Sequence, residues 1–331
     1  MKQVGCRLRR TTASLLPGLA LLMAAHGRAQ VPEPEANPVI PPAEQRLGEV
    51  GWTELDYSAR KFFLAAHTTL RAERVPAGEL ADALRTPPRG RPVPLPEAGA
   101  VALSVKTDLP FGRDETVRVF IDPATGAALG GEKTMLGGSA YHKLIRYTDC
   151  GLFTWRSAPE NSREAAQPAR AWTHRKEYLV EPAVGPPEGT PVSDPYVLIY
   201  LATAARLDRK DSRLKLVMLA EDRFVEVTLI AGNLTYSRAR FQESWPVGGR
   251  ARTGDVLVRI VRATAKALGA TEASEDVDLG FLGMRGALTI YLEVGTALPV
   301  ALSGRVQHIG EVTVSLDRAV LTGAPAPDAA P

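Results

Sequence analysis

The feature that most constrains this chain is an alternation of apolar and polar residues in three successive runs between residues 286 and 317. Within these runs, nearly every second residue is aliphatic, with Gly304 as the exception. Side chains of a strand point alternately to its two faces, so a period of two gives each strand one dry face and one wet face. The runs therefore predict an antiparallel meander. Its predicted dry face consists of Leu288, Ile290, Leu292, Val294, Val300, Leu302, Val306, Val312, Val314 and Leu316.

Turn residues between shorter alternating runs predict more strand pairs upstream. Residues 214–218 and 225–229 flank Glu221-Asp222 and predict a hairpin. Gly232-Asn233 predicts the next turn along the chain. The sequence Asp-Pro-Ala-Thr-Gly at 122–126 predicts another turn, because proline fixes φ and glycine permits a positive φ.

Helical signals are fewer. Ser193 or Asp194 can cap a helix whose first turn contains Pro195, and apolar residues then recur at helical spacing, which predicts one buried face. A shorter helix is predicted over 76–84. Residues 55–74 fit either a helix or two strands, and we favour the two strands. The predicted fold class is mainly β: an antiparallel curved sheet or half-barrel packed on one main helix at about 194–207.

The N-terminus has the features of a secretory signal peptide. A basic segment is followed by the apolar stretch 13–25, which is too short to span a bilayer, and Gly27 and Ala29 precede a predicted cleavage site. Without residues 1–29, which hold five of the 40 basic residues and none of the 37 acidic ones, 35 basic residues face 37 acidic ones, a net charge of −2. This balance disfavours a nucleic-acid partner. We expect a periplasmic or secreted protein that does not span the membrane, although it can be peripheral to it.

Prolines divide the remaining chain. Residues 1–29 are the predicted signal peptide, and the proline-rich residues 30–50 predict an extended tether. A β domain is predicted over 51–322, and any division into two domains would fall at 182–195. Residues 323–331 predict a flexible tail.

Motifs for catalysis, metals or cofactors are absent from the sequence. No HExxH, CxxC or P-loop pattern occurs, so the sequence predicts no enzyme, no metal and no cofactor. Ser139, in a Gly-Gly-Ser-Ala turn with His142 nearby, is the best serine nucleophile, although the turn alone explains the glycines. Cys150 fits a turn residue and lacks a second cysteine once the signal peptide is removed. Four arginines fit either a headgroup site or a solvated face: Arg238, Arg240, Arg250 and Arg252.

The C-terminal third resembles a known family. Leu298-Pro299-Val300 and Ile309-Gly310-Glu311-Val312 resemble the closing strands of an uncharacterised family of exported β-proteins from Gram-negative bacteria, a domain of unknown function. The Asp-Pro helix start at 194 is also similar. These proteins in turn resemble periplasmic lipoprotein-carrier half-barrels, whose curved sheet wraps a helix and can hold acyl chains. The long proline-rich insertions here differ from those carriers.

These observations give a leading functional hypothesis and two alternatives. The leading hypothesis is a non-enzymatic exported envelope protein that binds a lipid or other apolar ligand in a β-sheet groove. The alternatives are a structural or partner-binding module of the periplasm and a serine hydrolase using Ser139. The residues predicted to line the groove are Leu198, Leu201, Leu288, Ile290, Leu292, Val300 and Leu302.

Overall fold

Strands make up most of the structure, and helices are few, which confirms the predicted mainly β class. The structure is a computed structural model that describes residues 47–61, 64–109, 113–220, 223–269, 279, 281, 283–307 and 309–324. Its strands are β1 (Trp52–Lys61), β2 (Leu64–Val75), β3 (Ala100–Leu109), β4 (Arg113–Ile121), β5 (Ala128–Met135), β6 (Tyr141–Thr148), β7 (Gly151–Ala158), β8 (His174–Val180), β9 (Val192–Ser193), β10 (Arg213–Ala220), β11 (Arg223–Trp245), β12 (Gly248–Ala267), β13 (Met284–Glu293), β14 (Pro299–Val306) and β15 (Gly310–Leu321). Its helices are α1 (Ala77–Ala83), α2 (Ser162–Ala165) and α3 (Leu198–Ala204), with 3₁₀ turns at Ala169–Ala171 and Pro195–Val197.

All of these strands belong to one sheet in which nearly every neighbouring pair is antiparallel. The spatial order is β8-β7-β6-β5-β4-β3-β2-β1-β15-β14-β13-β12-β11-β10-β9. Strands β1 to β8 follow one another as neighbours, and β10 to β15 do the same. β1 joins the two runs by pairing with β15. Only the β9–β10 and β11–β15 pairings of the described strands are parallel.

β15 closes part of the sheet on itself. Its first half, from Gly310 to Ser315, pairs with β14. Its second half pairs with β1 and also, in parallel, with β11, where Gln242–Ser244 face Arg318–Val320. β11 to β15 therefore form a closed ring of five strands, from which β1 to β8 continue.

The predicted dry face of the meander is largely where the alternation placed it. Leu288, Ile290 and Leu292 on β13 are buried, as are Val314 and Leu316 on β15. β14 departs from the alternation because both of its faces are covered, so that every residue from Pro299 to Gly304 is buried. Val294 was predicted to be buried, but it is 46% exposed because β13 ends at Glu293.

The helix predicted at about 194–207 is shorter and more deeply buried than expected. We call its observed residues, Pro195–Val197 and Leu198–Ala204, the helical segment. It begins with the 3₁₀ turn at Pro195, whose cap Asp194 accepts a hydrogen bond from the Tyr196 amide at 2.9 Å, and α3 ends at Ala204. All seven residues of α3 are buried, whereas the sequence predicted one buried face. A short helix that is covered on every side contributes to the core around its whole circumference.

Two predicted turns have different outcomes. The turn at 122–126 is confirmed: Gly126 has a φ of 73°, and the Asp122 carboxylate accepts from the Ala124 amide at 2.9 Å. The turn predicted at Gly232-Asn233 is wrong, because β11 continues through it. Ala231 pairs with Val261 and Leu234 with Arg259, so β11 carries one extra residue there, which is a β-bulge.

The predicted hairpin at 214–229 is confirmed, with Leu214 opposite Leu229 and Met218 opposite Val225. Its predicted turn residues, Glu221 and Asp222, lie outside the described residues. The predicted signal peptide (1–29) and the end of the predicted tail (325–331) also lie outside them. Of the predicted tether, residues 47–50 are described, and the Gly48 amide donates to the Ala204 carbonyl at 2.8 Å.

A buried ion-pair network joins β11, β12 and the end of β13. The Glu243 side chain is 1% exposed and accepts from Arg250 Nε at 2.7 Å and from Arg252 Nη1 at 2.9 Å. Arg252 also reaches Glu293 Oε1 at 2.7 Å. The sequence analysis offered two interpretations of Arg250 and Arg252, a headgroup site and a solvated face. Both interpretations are wrong for these two residues. These two arginines neutralise buried carboxylates.

Candidate functional site

The seven residues predicted to line a groove all lie in the main hydrophobic core. Leu198, Leu201, Leu288, Ile290, Leu292, Val300 and Leu302 belong to one cluster of buried residues, and none is more than 5% exposed. None of them lines any of the four cavities described below. The structure thus brings the seven predicted residues together in one buried hydrophobic cluster.

An apolar cavity lies instead beside the outer edge of β10. Its volume is about 170 Å³. β9 pairs with β10 only at Val217 and Met218, so the edge formed by residues 213–216 has no strand partner among the described residues. The apolar part of the wall consists of Leu47, Pro187, Pro191, Leu214, Leu216, Val217 and Leu268.

Charged side chains stand at one side of this cavity. Glu226, part of the cavity wall, lies between Lys215, with Nζ 3.8 Å from Glu226 Oε1, and Lys266, with Nζ 3.3 Å from the same oxygen. Two cations therefore share one carboxylate, which leaves a local net charge of +1. An apolar wall with a cationic border suits a ligand that has an aliphatic part and an acidic group.

A polar cluster fixes the start of the helical segment against the sheet. Tyr147 donates to Asp194 Oδ2 at 2.7 Å, and Lys133 donates to the Tyr196 hydroxyl at 2.6 Å. Tyr196 in turn donates to Glu115, which lies 3.2 Å from Lys133 Nζ. Burial raises the pKa of Asp194, against the opposing effects of the Tyr147 hydrogen bond, the Tyr196 amide and Lys133. Each of these groups has partners within the cluster, so its evident role is to hold the helical segment in place.

A second cavity, of about 200 Å³, is basic and lies over β6, β7 and β8. Five cationic residues contribute to its wall: Arg85, Arg156, Arg170, Arg175 and Lys176. No carboxylate of a described residue lies within 4 Å of their charged groups. The Arg85 guanidinium lies 5.8 Å from the centre of the Trp155 ring. Glu177 is the one acidic residue in this wall. The sequence analysis missed this cavity because its arginines come from three separate segments.

Two further cavities are both lined by Trp52 and have volumes of about 220 and 230 Å³. The Trp52 side chain is buried, and its indole nitrogen lacks a hydrogen-bond partner among the described residues. A buried donor of this kind is commonly satisfied by water.

The sequence-based candidates for chemistry are not assembled into a catalytic group. Ser139 lies exposed in the turn before β6, and His142 Nδ1 lies 2.9 Å from Thr134 Oγ1. No hydrogen bond between Ser139 and a histidine is present in the described part of the chain. Burial lowers the pKa of His142, although Glu132 acts in the opposite direction. Cys150 is exposed and has a free thiol.

The described residues contain neither a cluster of metal ligands nor a membrane-spanning helix. Among the residues that the structure describes, no three His, Cys, Asp or Glu side chains are grouped as metal ligands. None of the helices in this part of the chain has the length and apolar character needed to cross a membrane.

Comparison with known proteins gives one structural likeness. No protein-family description matches the chain, and no curated protein matches it significantly. A solved structure described as a beta-barrel-like protein of domain of unknown function DUF1849 from Brucella abortus is similar, with a TM-score of 0.43 and 9% sequence identity. The match covers 84% of this chain and 100% of that one. It does not assign the chain to a family or to a function.

Proposed function

We propose that this protein is a non-enzymatic, exported envelope protein that binds the aliphatic chain of an acidic amphiphile, such as a fatty acid, at the β10 edge. The observation that carries the proposal is the cavity beside β10, whose largely aliphatic wall also contains Lys215 and Glu226. Lys266, outside this wall, forms a second ion pair with Glu226. This location replaces the predicted groove, whose residues are occupied in packing the core.

The size of the cavity limits how much of a ligand it can take. Complete small-molecule sites usually have volumes of roughly 300–1,000 Å³, whereas an apolar cavity of about 150 Å³ holds a benzene molecule. A cavity of about 170 Å³ therefore suits the end of an acyl chain. The rest of the chain would lie along the β10 edge, with its carboxylate near Lys215 and Lys266.

The proposal includes the finer features suggested by the sequence: a signal peptide, a periplasmic or secreted location, and a curved half-barrel packed on the helical segment. The burial of all of Leu198–Ala204 supports the last feature. The family resemblance of the closing strands supports export.

The test measures binding of a fluorescent fatty acid to the purified protein. Leu268→Trp should fill the cavity and abolish saturable binding. The matched control Leu234→Trp, at a leucine that is 45% exposed on β11, should leave binding unchanged. The double variant Lys215→Gln/Lys266→Gln should weaken binding of the fatty acid but not of the fatty alcohol of equal length, whereas Arg262→Gln on the same strand as Lys266 should weaken neither.

Two results would overturn the proposal. One is the absence of saturable uptake together with native mass spectra that show no co-purified lipid. The other is equal binding by the wild type and Leu268→Trp. A structural or partner-binding role in the envelope would then be the alternative to pursue.

A further inference from the structure

A second site, distinct from the β10 cavity, is suggested by the register of strands β5 to β8. Lys133 lies directly opposite Lys143, Lys143 opposite Arg156, and Arg156 opposite Lys176. Directly opposite residues of antiparallel strands place their side chains on the same face, about 5 Å apart. These four residues, which we call the cation row, therefore cross four strands over about 14 Å, at a spacing of about 4.8 Å per strand.

The cation row continues a row that is apolar on the preceding strands. Leu55, Leu70, Val105 and Val117 stand opposite one another on β1 to β4, and Val117 is opposite Lys133. All four apolar members are buried. The row that is apolar and buried on β1 to β4 thus becomes cationic from β5 onward.

Counter-charges are present at only one end of the cation row. Lys133 is paired with Glu115 at 3.2 Å. For Lys143, Arg156 and Lys176, no carboxylate of a described residue lies within 4 Å. The acidic residues Glu132 and Glu177 on the same strands are neighbours in sequence of Lys133 and Lys176, so they belong to the opposite face.

The inner members of the cation row, Lys143 and Arg156, lie close to each other and are half-buried. Lys143 Nζ lies 5.1 Å and the Arg156 guanidinium 5.4 Å from the centre of the Tyr141 ring, so both cations share one aromatic ring. Burial lowers the pKa of Lys143, and the neighbouring charges of Lys133 and Arg156 lower it further. Like charges directly opposite each other destabilise a sheet, so this arrangement reduces the stability of the unliganded protein.

We propose that the cation row binds phosphate groups, two or three side by side, through Lys143, Arg156 and Lys176. Arginine and lysine form strong charge-assisted hydrogen bonds with phosphate oxygens, and a bound anion would remove the repulsion within the row. The phosphates can belong to one soluble oligophosphate or to neighbouring lipid headgroups. A row of about 14 Å neutralises only about three charges, which is short for an extended nucleic-acid strand, whose affinity rises with the number of phosphates contacted.

The test uses inorganic tripolyphosphate and isothermal titration of the full chain at low and at physiological salt. We expect saturable binding that weakens as salt rises, and at least an approximately tenfold loss of affinity in Arg156→Gln and in Lys176→Gln. The matched control is Arg262→Gln, which removes the same charge from an exposed position of β12 outside the cation row and the basic cavity, and it should bind like the wild type. Vesicles of phosphatidylcholine with and without phosphatidylglycerol distinguish the two sources of phosphate.

Thermal denaturation without ligand separates a binding role from a structural one. Arg156→Gln should raise the melting temperature because it relieves repulsion, while Arg262→Gln should not. The proposal is overturned if neither tripolyphosphate nor anionic vesicles bind, if Arg262→Gln rather than Arg156→Gln abolishes binding, or if single-stranded DNA binds more tightly than tripolyphosphate and independently of Arg156.

Discussion

Replacing Leu316 by Asp tests the strand register on which the fold depends. The Leu316 side chain is 2% exposed and faces the fully buried Tyr57 across β15 and β1. The substitution removes leucine burial worth about 1.5–3 kcal/mol. It also places a carboxylate without a cationic partner on the dry face, so the total loss should be about 3–5 kcal/mol. This is a large part of a typical unfolding free energy of about 5–15 kcal/mol.

Thr313→Asp, on the exposed face of the same strand, is the control and should change the unfolding free energy by less than about 0.5 kcal/mol. Leu316→Asn separates polarity from charge. Burial should raise the pKa of the carboxyl group that Leu316→Asp introduces, so the penalty of this variant relative to Leu316→Asn should be small in acid and should grow as the pH rises through that pKa. Urea denaturation followed by tryptophan fluorescence measures both effects. Equal losses for Leu316→Asp and Thr313→Asp would refute the register.

Three further substitutions test other parts of the structure by the same denaturation assay. Because burial raises the pKa of Asp194, its contribution to stability is greatest below the unfolded pKa of about 3.9 and is lost as the pH rises. The stability of the wild type relative to Asp194→Asn should therefore fall with rising pH, and a constant difference would contradict this. Gly126→Ala should lower the unfolding free energy by about 1–3 kcal/mol, since the added Cβ would lie 2.7 Å from Leu201 Cδ2 and the φ of residue 126 is positive. An unchanged unfolding midpoint would show that the turn relaxes. Arg252→Met should lower the unfolding free energy by about 3–5 kcal/mol, because it removes one partner of buried Glu243. An unchanged unfolding free energy would mean that the ion-pair network adds no stability.

Local sequence patterns were sufficient to predict the strands, but they could not predict which other elements cover or pair with each strand. The alternation at 288–292 and 314–316 predicted which side chains are buried, because a period of two is a property of a single strand. Val312, at the start of the same run, is only half-buried. The same rule could not predict that Ala301 and Ser303 on β14 are also buried, since that depends on what covers the second face. Nor could it predict the bulge in β11, which depends on the pairing with β12 on both sides.

The candidate sites were harder to predict for the same reason. Sequence identified an aliphatic face, but whether that face is a groove or a filled core depends on what covers it, and the burial of every residue of α3 could not be predicted from the sequence. The cation row has no local signal, because Lys133, Lys143, Arg156 and Lys176 are separated by irregular intervals and meet only through three hairpin registers. Cations recurring on several successive predicted strands would have been the available hint.

The most direct test of the proposed function is nuclear magnetic resonance of the protein with a ¹³C-labelled medium-chain fatty acid. Our account predicts intermolecular nuclear Overhauser effects between the terminal methyl group of the ligand and the methyl groups of Leu214, Leu216 and Leu268 around the β10 cavity. Effects to Leu288 and Ile290 instead would place the chain in the core and contradict the account, as would the absence of any intermolecular effect.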